Sequence, residues 1–305
     1  MISNQFALIQ REIWEHRSLY ITPAVVALVM ILTLLTAFVF ASGYQEIVDI
    51  GIMGAQNLAG DAERRAALLA VLIGNTAPFF IAGAILTIFY SLDSLYAERK
   101  NKSILFWRSL PITDAETVIS KFLTTALAIP LIAFAVIVIT HLIILAITSI
   151  FVSIEGGSSV LLVWKSAPLF DVWAGMLIIT IALPIWFSPF IGWLLFVSAW
   201  TKRSPLLTAF LPLILLPTLE YWVLRTHLIW DAIQTRFDQL PIFKGINPEM
   251  FFDEKEFIAN MDAISLLSYI DVGRFLTSPP MWAGVVVCGL LMTAAIYVRR
   301  YKDDS

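Results

Sequence analysis

Charged side chains are scarce in this chain. They make up 14% of its 305 residues, against about 25% in an ordinary soluble domain. Hydrophobic residues make up 59%, and the mean hydropathy is +0.84. This balance excludes an ordinary soluble domain and predicts an integral membrane protein. Cysteine is also nearly absent: Cys288 is the only one, so an intrachain disulfide is excluded.

The sequence lacks the motifs of common catalytic sites as well. It has no G-x-x-x-x-G-K-[ST] run to cradle phosphates, so we expect ATP to be bound by a partner and not by this chain. The three histidines, His16, His141 and His227, are scattered, and no H-E-x-x-H run could hold zinc. No G-x-S-x-G run marks a serine nucleophile. We predict no catalysis, no cofactor, no metal site and no nucleic-acid binding in this chain.

Six apolar stretches reach or approach the roughly 20 residues that a membrane-spanning helix needs. The predicted spans are residues 19–40, 66–90, 126–151, 176–200, 205–224 and 281–298. Sustained alternation of apolar and polar residues is absent from them, which favours helices over barrel strands. The predicted fold is an all-α, polytopic bundle of six transmembrane helices in one domain, residues 1–305.

The distribution of basic residues predicts the orientation. With the N-terminus in the cytoplasm, the inner segments hold 12 of the 20 lysines and arginines. These 12 are Arg11, Arg17, Arg99, Lys100, Lys102, Arg108, Lys121, Lys202, Arg203, Arg299, Arg300 and Lys302. Basic residues concentrate on the cytoplasmic side of membrane proteins. Both termini are therefore predicted to be cytoplasmic, which agrees with an even number of spans.

Residues 1–18 precede the first span and show helical periodicity. Ile2, Phe6, Ile9 and Ile13 recur at spacings of four, three and four, with polar residues, Glu12 among them, elsewhere around the helix. Such a segment can lie in the plane of the membrane surface. A helix that only anchors the chain is the alternative to one with a further function.

Residues 225–280 form a long segment on the predicted outer side. Apolar residues recur at helical spacing in 228–240 and in 254–270, and Pro241, Gly245 and Pro248 separate the two pieces. We expect short surface or re-entrant helices there. They either pack on the spans as a simple cover or serve as a gate for substrate.

Residues 91–121 form the longest loop on the predicted inner side. No glycine or proline interrupts 91–100, so the second helix is expected to continue to Lys100. Residues 103–110 are a short apolar-tipped piece that Pro111 ends, and Thr113 with Glu116 forms a capping box that starts the third helix. The loop is either a lever that a soluble partner pushes or an elbow anchored at the headgroups.

Several motifs in this loop resemble one family. Glu98-Arg99, Ser103, Ser109-Leu110-Pro111-Ile112 and Ser120-Lys121 are similar to the E-R, S/T, S-L-P-V/I and S-K pattern that follows the second span of ABC-2 type permeases. These permeases are the membrane subunits of ATP-binding-cassette transporters. The Arg11-Glu12 and Trp14-Glu15-His16-Arg17 motifs before the first span are similar to their opening.

The resemblance implies a permease subunit of an exporter in a bacterial inner membrane. It implies a homodimer, or a pair with a similar permease, resting on two cytosolic ATPase subunits. The implied ATPase-coupling residues are Glu98, Arg99, Ser103, Phe106, Trp107, Leu110 and Pro111, with Lys202 and Arg203 as a second, smaller contact. The competing hypothesis is a membrane scaffold or regulatory protein that docks a cytosolic partner without transport.

Polar residues and prolines inside the spans are candidates for a transport pathway. Asn75 and Thr76 in the second span, and Pro184 and Pro189 in the fourth, are expected to kink helices and free carbonyl groups. Lining of a pathway and simple helix packing explain them equally well.

His141 and Glu220 are the ionisable candidates, both near the predicted outer ends of their spans. An ionisable group inside a span is costly and is by default a functional candidate. Placement at the membrane interface explains both residues as well as a pathway does. No charged stripe follows any span, which favours an apolar or amphipathic substrate over a bare ion.

Overall fold

A computed structural model of the chain describes residues 2–39, 61–103, 111–154, 156–244 and 265–301. These residues form helices and connecting segments without a β-strand, apart from one isolated bridge between Phe243 and Ile270. The helices are α1 (Ile2–Glu15), α2 (Ser18–Val39), α3 (Asp61–Gly74), α4 (Ala77–Lys100), α5 (Asp114–Leu123), α6 (Ile129–Ile154), α7 (Leu169–Trp186), α8 (Ser188–Trp200), α9 (Pro205–Leu224), α10 (Leu228–Asp238), α11 (Val272–Thr277) and α12 (Pro279–Tyr301). The all-α prediction is confirmed.

Six helical stretches are long and apolar enough to cross a membrane, as the sequence predicts. They are Ser18–Thr36, Leu68–Lys100, Asp114–Ile154, Val160–Trp186, Pro205–Leu224 and Pro279–Tyr301. The predicted extent of the fourth span, a single helix over 176–200, is wrong. The helix breaks at Phe187, and α8 continues as a separate apolar helix. Pro189 explains the break, because it has no N–H to continue the hydrogen-bond ladder.

Two other spans are interrupted near their prolines. Asn75 and Thr76 form a turn between α3 and α4, just before Pro78, so the kink predicted there is confirmed. A wide π-helical turn, Thr124–Ala128, joins α5 to α6. Pro130 follows this turn and cannot donate to the carbonyl four residues before it, which accounts for the wider turn.

The two ends of the described chain lie at the same end of the bundle. Glu12 of α1 pairs with Lys121 of α5, and Arg299 of α12 pairs with Glu98 of α4. We call this the inner end, because the sequence predicts it to face the cytoplasm. The opposite end is called the outer end. The assignment of the inner end to the cytoplasm stays a prediction.

The outer segment packs into the core of the bundle. Ile242, Leu266 and Phe275 are buried in one hydrophobic cluster with Val172 and Trp186 of α7. The helix predicted over 228–240 is confirmed as α10. Most of the piece predicted over 254–270 lies outside the described residues, and its end forms a single 3₁₀ turn, Leu266–Tyr269. Packing on the spans is therefore observed for the described part of this segment.

Two carboxylates of the spans hold the outer segment by its backbone. Asp171 of α7 accepts hydrogen bonds from Leu266 N at 2.8 Å and Leu267 N at 3.2 Å. Glu220 of α9 accepts from Leu228 N and Ile229 N, both at 2.8 Å, at the start of α10. Free N–H groups at a helix start are satisfied in this way. Both carboxylates thus act as helix caps.

Helices α8 and α12 run side by side and approach closely at Gly192. A Cβ atom added there would lie 3.2 Å from the Cα atom and 3.3 Å from the carbonyl oxygen of Cys288. These are backbone atoms of α12, so they cannot move aside without shifting the whole helix. The close contact therefore favours glycine at position 192, since an added methyl group would push α12 away by a few tenths of an ångström.

We expect Gly192→Ala to destabilise the protein by about 1–3 kcal/mol, the range of overpacked cores. The matched control is Gly83→Ala in α4, where an added Cβ meets nothing within 4 Å and should be neutral or slightly stabilising. Thermal unfolding in detergent measures both. Equal unfolding temperatures for the two variants would contradict the close packing of α8 on α12.

Candidate functional site

Five charged residues form a cluster at the inner end, which we call the inner charge cluster. Its members are Glu12, Glu98, Asp114, Lys121 and Arg299. Four of them are buried, and only Asp114 is partly exposed. They belong to α1, α4, α5 and α12, which are far apart in the sequence. The cluster therefore joins both ends of the chain to the two helices that flank the inner loop.

Lys121 lies at the centre of the cluster, with only 1% of its surface exposed. Its Nζ atom donates to both carboxylate oxygens of Glu12, at 2.8 and 2.9 Å. It also lies 2.8 Å from Oε1 of Glu98. A buried charge is tolerated where it is paired and hydrogen-bonded. Lys121 meets this condition because carboxylates from two different helices surround it.

Arg299 continues the cluster on its other side. Its Nη1 atom donates to Oε2 of Glu98 at 2.7 Å, and its Nε atom donates to Oδ1 of Asp114 at 2.9 Å. Asp114 is the first residue of α5, directly after the N-cap residue Thr113. Thr113 and Glu116 bond to each other's backbone N–H groups there, which confirms the predicted box. The end of α12 is thereby fixed to the end of α4 and the start of α5.

Helix α1 packs on α5 with one side and exposes the other. Leu8 and Glu12 are buried where α1 packs on α5, and Tyr90 donates to Glu12 at 2.7 Å. Phe6 is 71% exposed, while Arg11 pairs with the exposed Glu15 and lies 3.7 Å from Glu12. The sequence places Glu12 apart from the apolar residues of α1, and the structure shows that it is buried because it pairs with Lys121.

The inner end of α4 is also fastened to α8. The Ser198 hydroxyl donates to Leu92 O at 2.7 Å and accepts from the N–H groups of Leu95 and Tyr96. Arg99 donates to the carbonyls of Ser198 and Thr201, at 2.6 and 2.7 Å. These are free carbonyls at a helix end, which a basic side chain satisfies well.

The turn between α8 and α9 lies beside the same helix end. Tyr96 of α4 donates to Arg203 O at 3.0 Å. The side chains of Lys202 and Arg203 are exposed on this turn. Ser103 donates to Glu98 O at 3.2 Å, where the chain leaves α4 through Lys102 with a positive φ of 56°. The two segments predicted to contact an ATPase therefore meet at the end of α4.

The predicted coupling residues differ in exposure. Glu98 is buried within the inner charge cluster, whereas Arg99 and Ser103 are half-buried. Pro111, Lys202 and Arg203 are exposed. Phe106, Trp107 and Leu110 lie outside the described residues. A coupling role for this set stays a prediction, and for Glu98 the burial favours a positioning role over direct contact.

A cleft of about 520 Å³ opens at the start of α5. Its lining includes Ile112, Thr113 and Asp114 on one side and Ile296, Arg299 and Arg300 of α12 on the other. Both polar and apolar groups are available on its walls. In the sequence, the first lining residue, Ile112, directly follows Pro111, the last inner-loop residue predicted to contact an ATPase.

The predicted pathway residues are tied into local structure and lie on different elements. The Thr76 hydroxyl donates to Ile73 O at 2.6 Å beside Asn75, in the turn before α4. Trp173 donates to Nδ1 of the fully buried His141 at 3.3 Å, so His141 lies between α6 and α7. Glu220 caps α10, as described above. A pathway role for these residues stays a prediction.

Sequence reasoning missed the inner charge cluster as a unit. In the sequence, Glu12 and Lys121 stood out as members of the family-like motifs. Lys121 and Arg299 stood out as basic residues of the inner segments. One signal was present: Lys121 follows Val118 by three residues and precedes Thr125 by four, which places all three on the same side of the helix. Val118 and Thr125 are buried, so a lysine on that side needs a buried partner.

One family pattern matches this chain, described as "ABC-2 family transporter protein", over residues 66–229. That range covers more than half of the 305 residues. The chain belongs to the ABC-2 transporter family. Comparisons with curated proteins and with solved structures gave no significant match.

Membership of this family, with the six spans, identifies a multi-pass membrane permease of an ABC transporter. The family is the transmembrane component of such transporters and is not itself catalytic. It implies association with an ABC ATPase subunit. The matched range includes α4 and the α8–α9 turn, so it contains both segments predicted to contact that subunit.

We expect Lys121→Met to destabilise the ABC-2 permease by about 3–5 kcal/mol, because it leaves two buried carboxylates without their shared cation. Adding Glu12→Gln to this variant should restore part of the loss, since one uncompensated charge is removed. The exposed Lys100 supplies the control, and Lys100→Met should change stability by less than about 0.5 kcal/mol. Unfolding in detergent measures all three, and similar losses for Lys121→Met and Lys100→Met would contradict the buried cluster.

Proposed function

We propose that this chain is the permease of an ATP-driven exporter and that its ATPase partner docks at the inner end. The docking surface comprises the inner loop and the α8–α9 turn. The observation that carries the proposal is the convergence of both segments on the end of α4. Export, and placement in a bacterial inner membrane, are inferred from the family.

The inner end has the mechanical properties that coupling requires. Helix α4 is bonded on one side to α8 through Ser198 and Arg99, and on the other to the inner charge cluster through Glu98. A push on the inner loop is therefore passed to α1, α5, α8 and α12 together. Tightly packed elements of this kind transmit displacement because they deform little.

The buried charges explain why these helices would move as a unit. Separating Glu98 from Lys121 or Arg299 would leave uncompensated charges in a low-dielectric environment, at a cost of several kcal/mol. Bending a span at a break in its helix costs less free energy. Such a break lies at residues 75–76 in the second span and at residue 187 in the fourth. In the third span, the π-turn between α5 and α6 serves as the bending point. We infer that motion at the inner end is converted into bending at these breaks.

We further propose that the chain forms a homodimer or pairs with a similar permease, and that exposed apolar faces of α4 and α9 meet at its interface. Ile81, Ile85 and Phe89 form an exposed stripe on α4 at spacings of four, and both α2 and α9 contact α4. Helix α9 itself buries only Ala209, Pro217 and Glu220. A two-fold dimer that joins these faces would place the α4 stripes of two copies at the interface. Such an interface is apolar, in agreement with an apolar or amphipathic substrate.

Charge reversal of the exposed turn tests the docking surface. A tagged chain that carries both Lys202→Glu and Arg203→Glu should retain about tenfold less ATPase subunit than the unmodified chain. The reason is that like charges across an interface are strongly unfavourable. The unfolding temperature should change little, since both side chains are exposed and exposed interactions contribute little to stability. Co-purification, with quantification of the ATPase band, measures the loss.

Arg274→Glu is the matched control, because Arg274 is exposed on α11 at the other end of the bundle. This variant should retain the ATPase as the unmodified chain does. Retention that is equal in all three proteins would contradict docking at the α8–α9 turn. A chain that never retains an ATPase would contradict the proposal as a whole and favour the scaffold hypothesis.

A further inference from the structure

Arg236 of the outer helix α10 reaches into the bundle and contacts two spans. Its Nη1 atom donates to Trp186 O at 3.0 Å, and its Nη2 atom donates to Pro280 O. The guanidinium carbon lies 4.3 Å from the centre of the Trp186 ring, in cation–π geometry. Trp186 in turn donates from its indole Nε1 to Arg236 O at 2.7 Å. One side chain therefore joins α10 to the end of α7 and the start of α12.

The break in the fourth span creates the acceptor for Arg236. The Phe190 N–H would ordinarily bond to Trp186 O, four residues earlier, but it bonds to Phe187 O instead. A carbonyl left over at a helix end needs another donor. Arg236 supplies it, so its position depends on the break at Phe187. Burial lowers the pKa of the Arg236 guanidinium below its ordinary value.

Helix α10 is attached near its two ends, and the chain directly beyond it is anchored by the buried Ile242. No residue of α10 is buried. Glu220 caps its first turn, and this carboxylate comes from the preceding helix in the chain. Near the other end, Arg236 makes the contacts described above, and Phe237 packs against Phe187 and Phe190. The attachment through Glu220 joins α10 to the preceding helix. The attachment through Arg236 joins it to α7 and α12, which are distant in the sequence.

We infer that α10 is a lid over the outer end of the bundle and that Arg236 is its latch. When α7 and α12 separate, the guanidinium loses one of its two carbonyl acceptors and the second half of α10 moves away from the bundle, while Glu220 keeps the first turn attached and the buried Ile242 anchors the chain beyond α10. Arg236 is thus a positioning residue for transport. This inference rests on the permease function of the chain.

Gly284 of α12 provides the space in which the guanidinium lies. A Cβ atom added there would lie 2.5 to 2.9 Å from atoms of the Arg236 guanidinium. That group is the far end of a flexible side chain, so Gly284→Ala should displace it without forcing the helices apart. Gly289 lies on the same helix with nothing within 4 Å of an added Cβ. Gly284→Ala and Gly289→Ala are therefore a matched pair.

Access to a buried reporter tests the latch. Ser188 is buried directly after the break at Phe187, and Ser188→Cys in a Cys288→Ala background gives a chain with one thiol. Labelling of this thiol by a membrane-impermeant maleimide is followed in right-side-out and in inverted vesicles. We expect Arg236→Met and Gly284→Ala to raise the labelling rate from the outer side by about tenfold, because each removes hydrogen bonds to a charged group.

Three controls define the result. Gly289→Ala and Arg274→Met should label at the unmodified rate, and Arg236→Lys should label faster than the unmodified chain because an ammonium cannot bridge both carbonyls in a planar fork. Equal labelling in Gly284→Ala and Gly289→Ala would overturn the inference, and so would a rise from the inner side only. Should Arg236→Met fail to fold, the glycine pair carries the test. The assay needs neither ATPase nor substrate, so a failure of ATPase docking would leave it unaffected.

Discussion

The inner half of this protein depends on a single buried ammonium group. Lys121 can be buried only because Glu12 and Glu98 approach it from two other helices. An unpaired buried charge is strongly destabilising. Only an opposite charge within contact distance offsets this cost. This requirement fixes where α1 lies against α5, and how closely the end of α4 approaches the start of α5. Arg299 extends the same constraint to the last helix.

This constraint divides the bundle into a stiff end and a region that can bend. Among the described residues of the second, third and fourth spans, each helical interruption lies on the outer side of the inner charge cluster. Prolines 78, 130 and 189 lie close to the interruptions at residues 75–76, 124–128 and 187, and each removes a backbone donor that the helix would otherwise use. The charges thus hold the inner ends together, while the prolines lower the resistance to bending farther along the same helices.

Features set by neighbouring residues were predictable from the sequence. The capping box at Thr113 and the continuation of α4 to Lys100 are confirmed, since each depends on residues within about one helical turn. The inner charge cluster was not predictable, because Glu12 reaches Lys121 and Arg299 reaches Glu98 only after the whole chain has folded. The fourth span was misjudged for a related reason: hydropathy is continuous across Phe187, so composition alone does not show the break. The residues between Ser103 and Pro111 remain predicted from their pattern.

The two ends of the bundle are fastened by different chemistry, and the difference bears on transport. At the inner end, charges of both signs pair inside the protein, so separation leaves several buried ions unpaired at once. At the outer end, Arg236 bonds to neutral carbonyls, and its charge can be hydrated by water if the contact opens. Opening the Arg236 contact therefore costs less than separating the ion pairs of the inner charge cluster. Under the proposed export function, a displacement applied at the inner end would be relieved by opening of the Arg236 contact at the outer end.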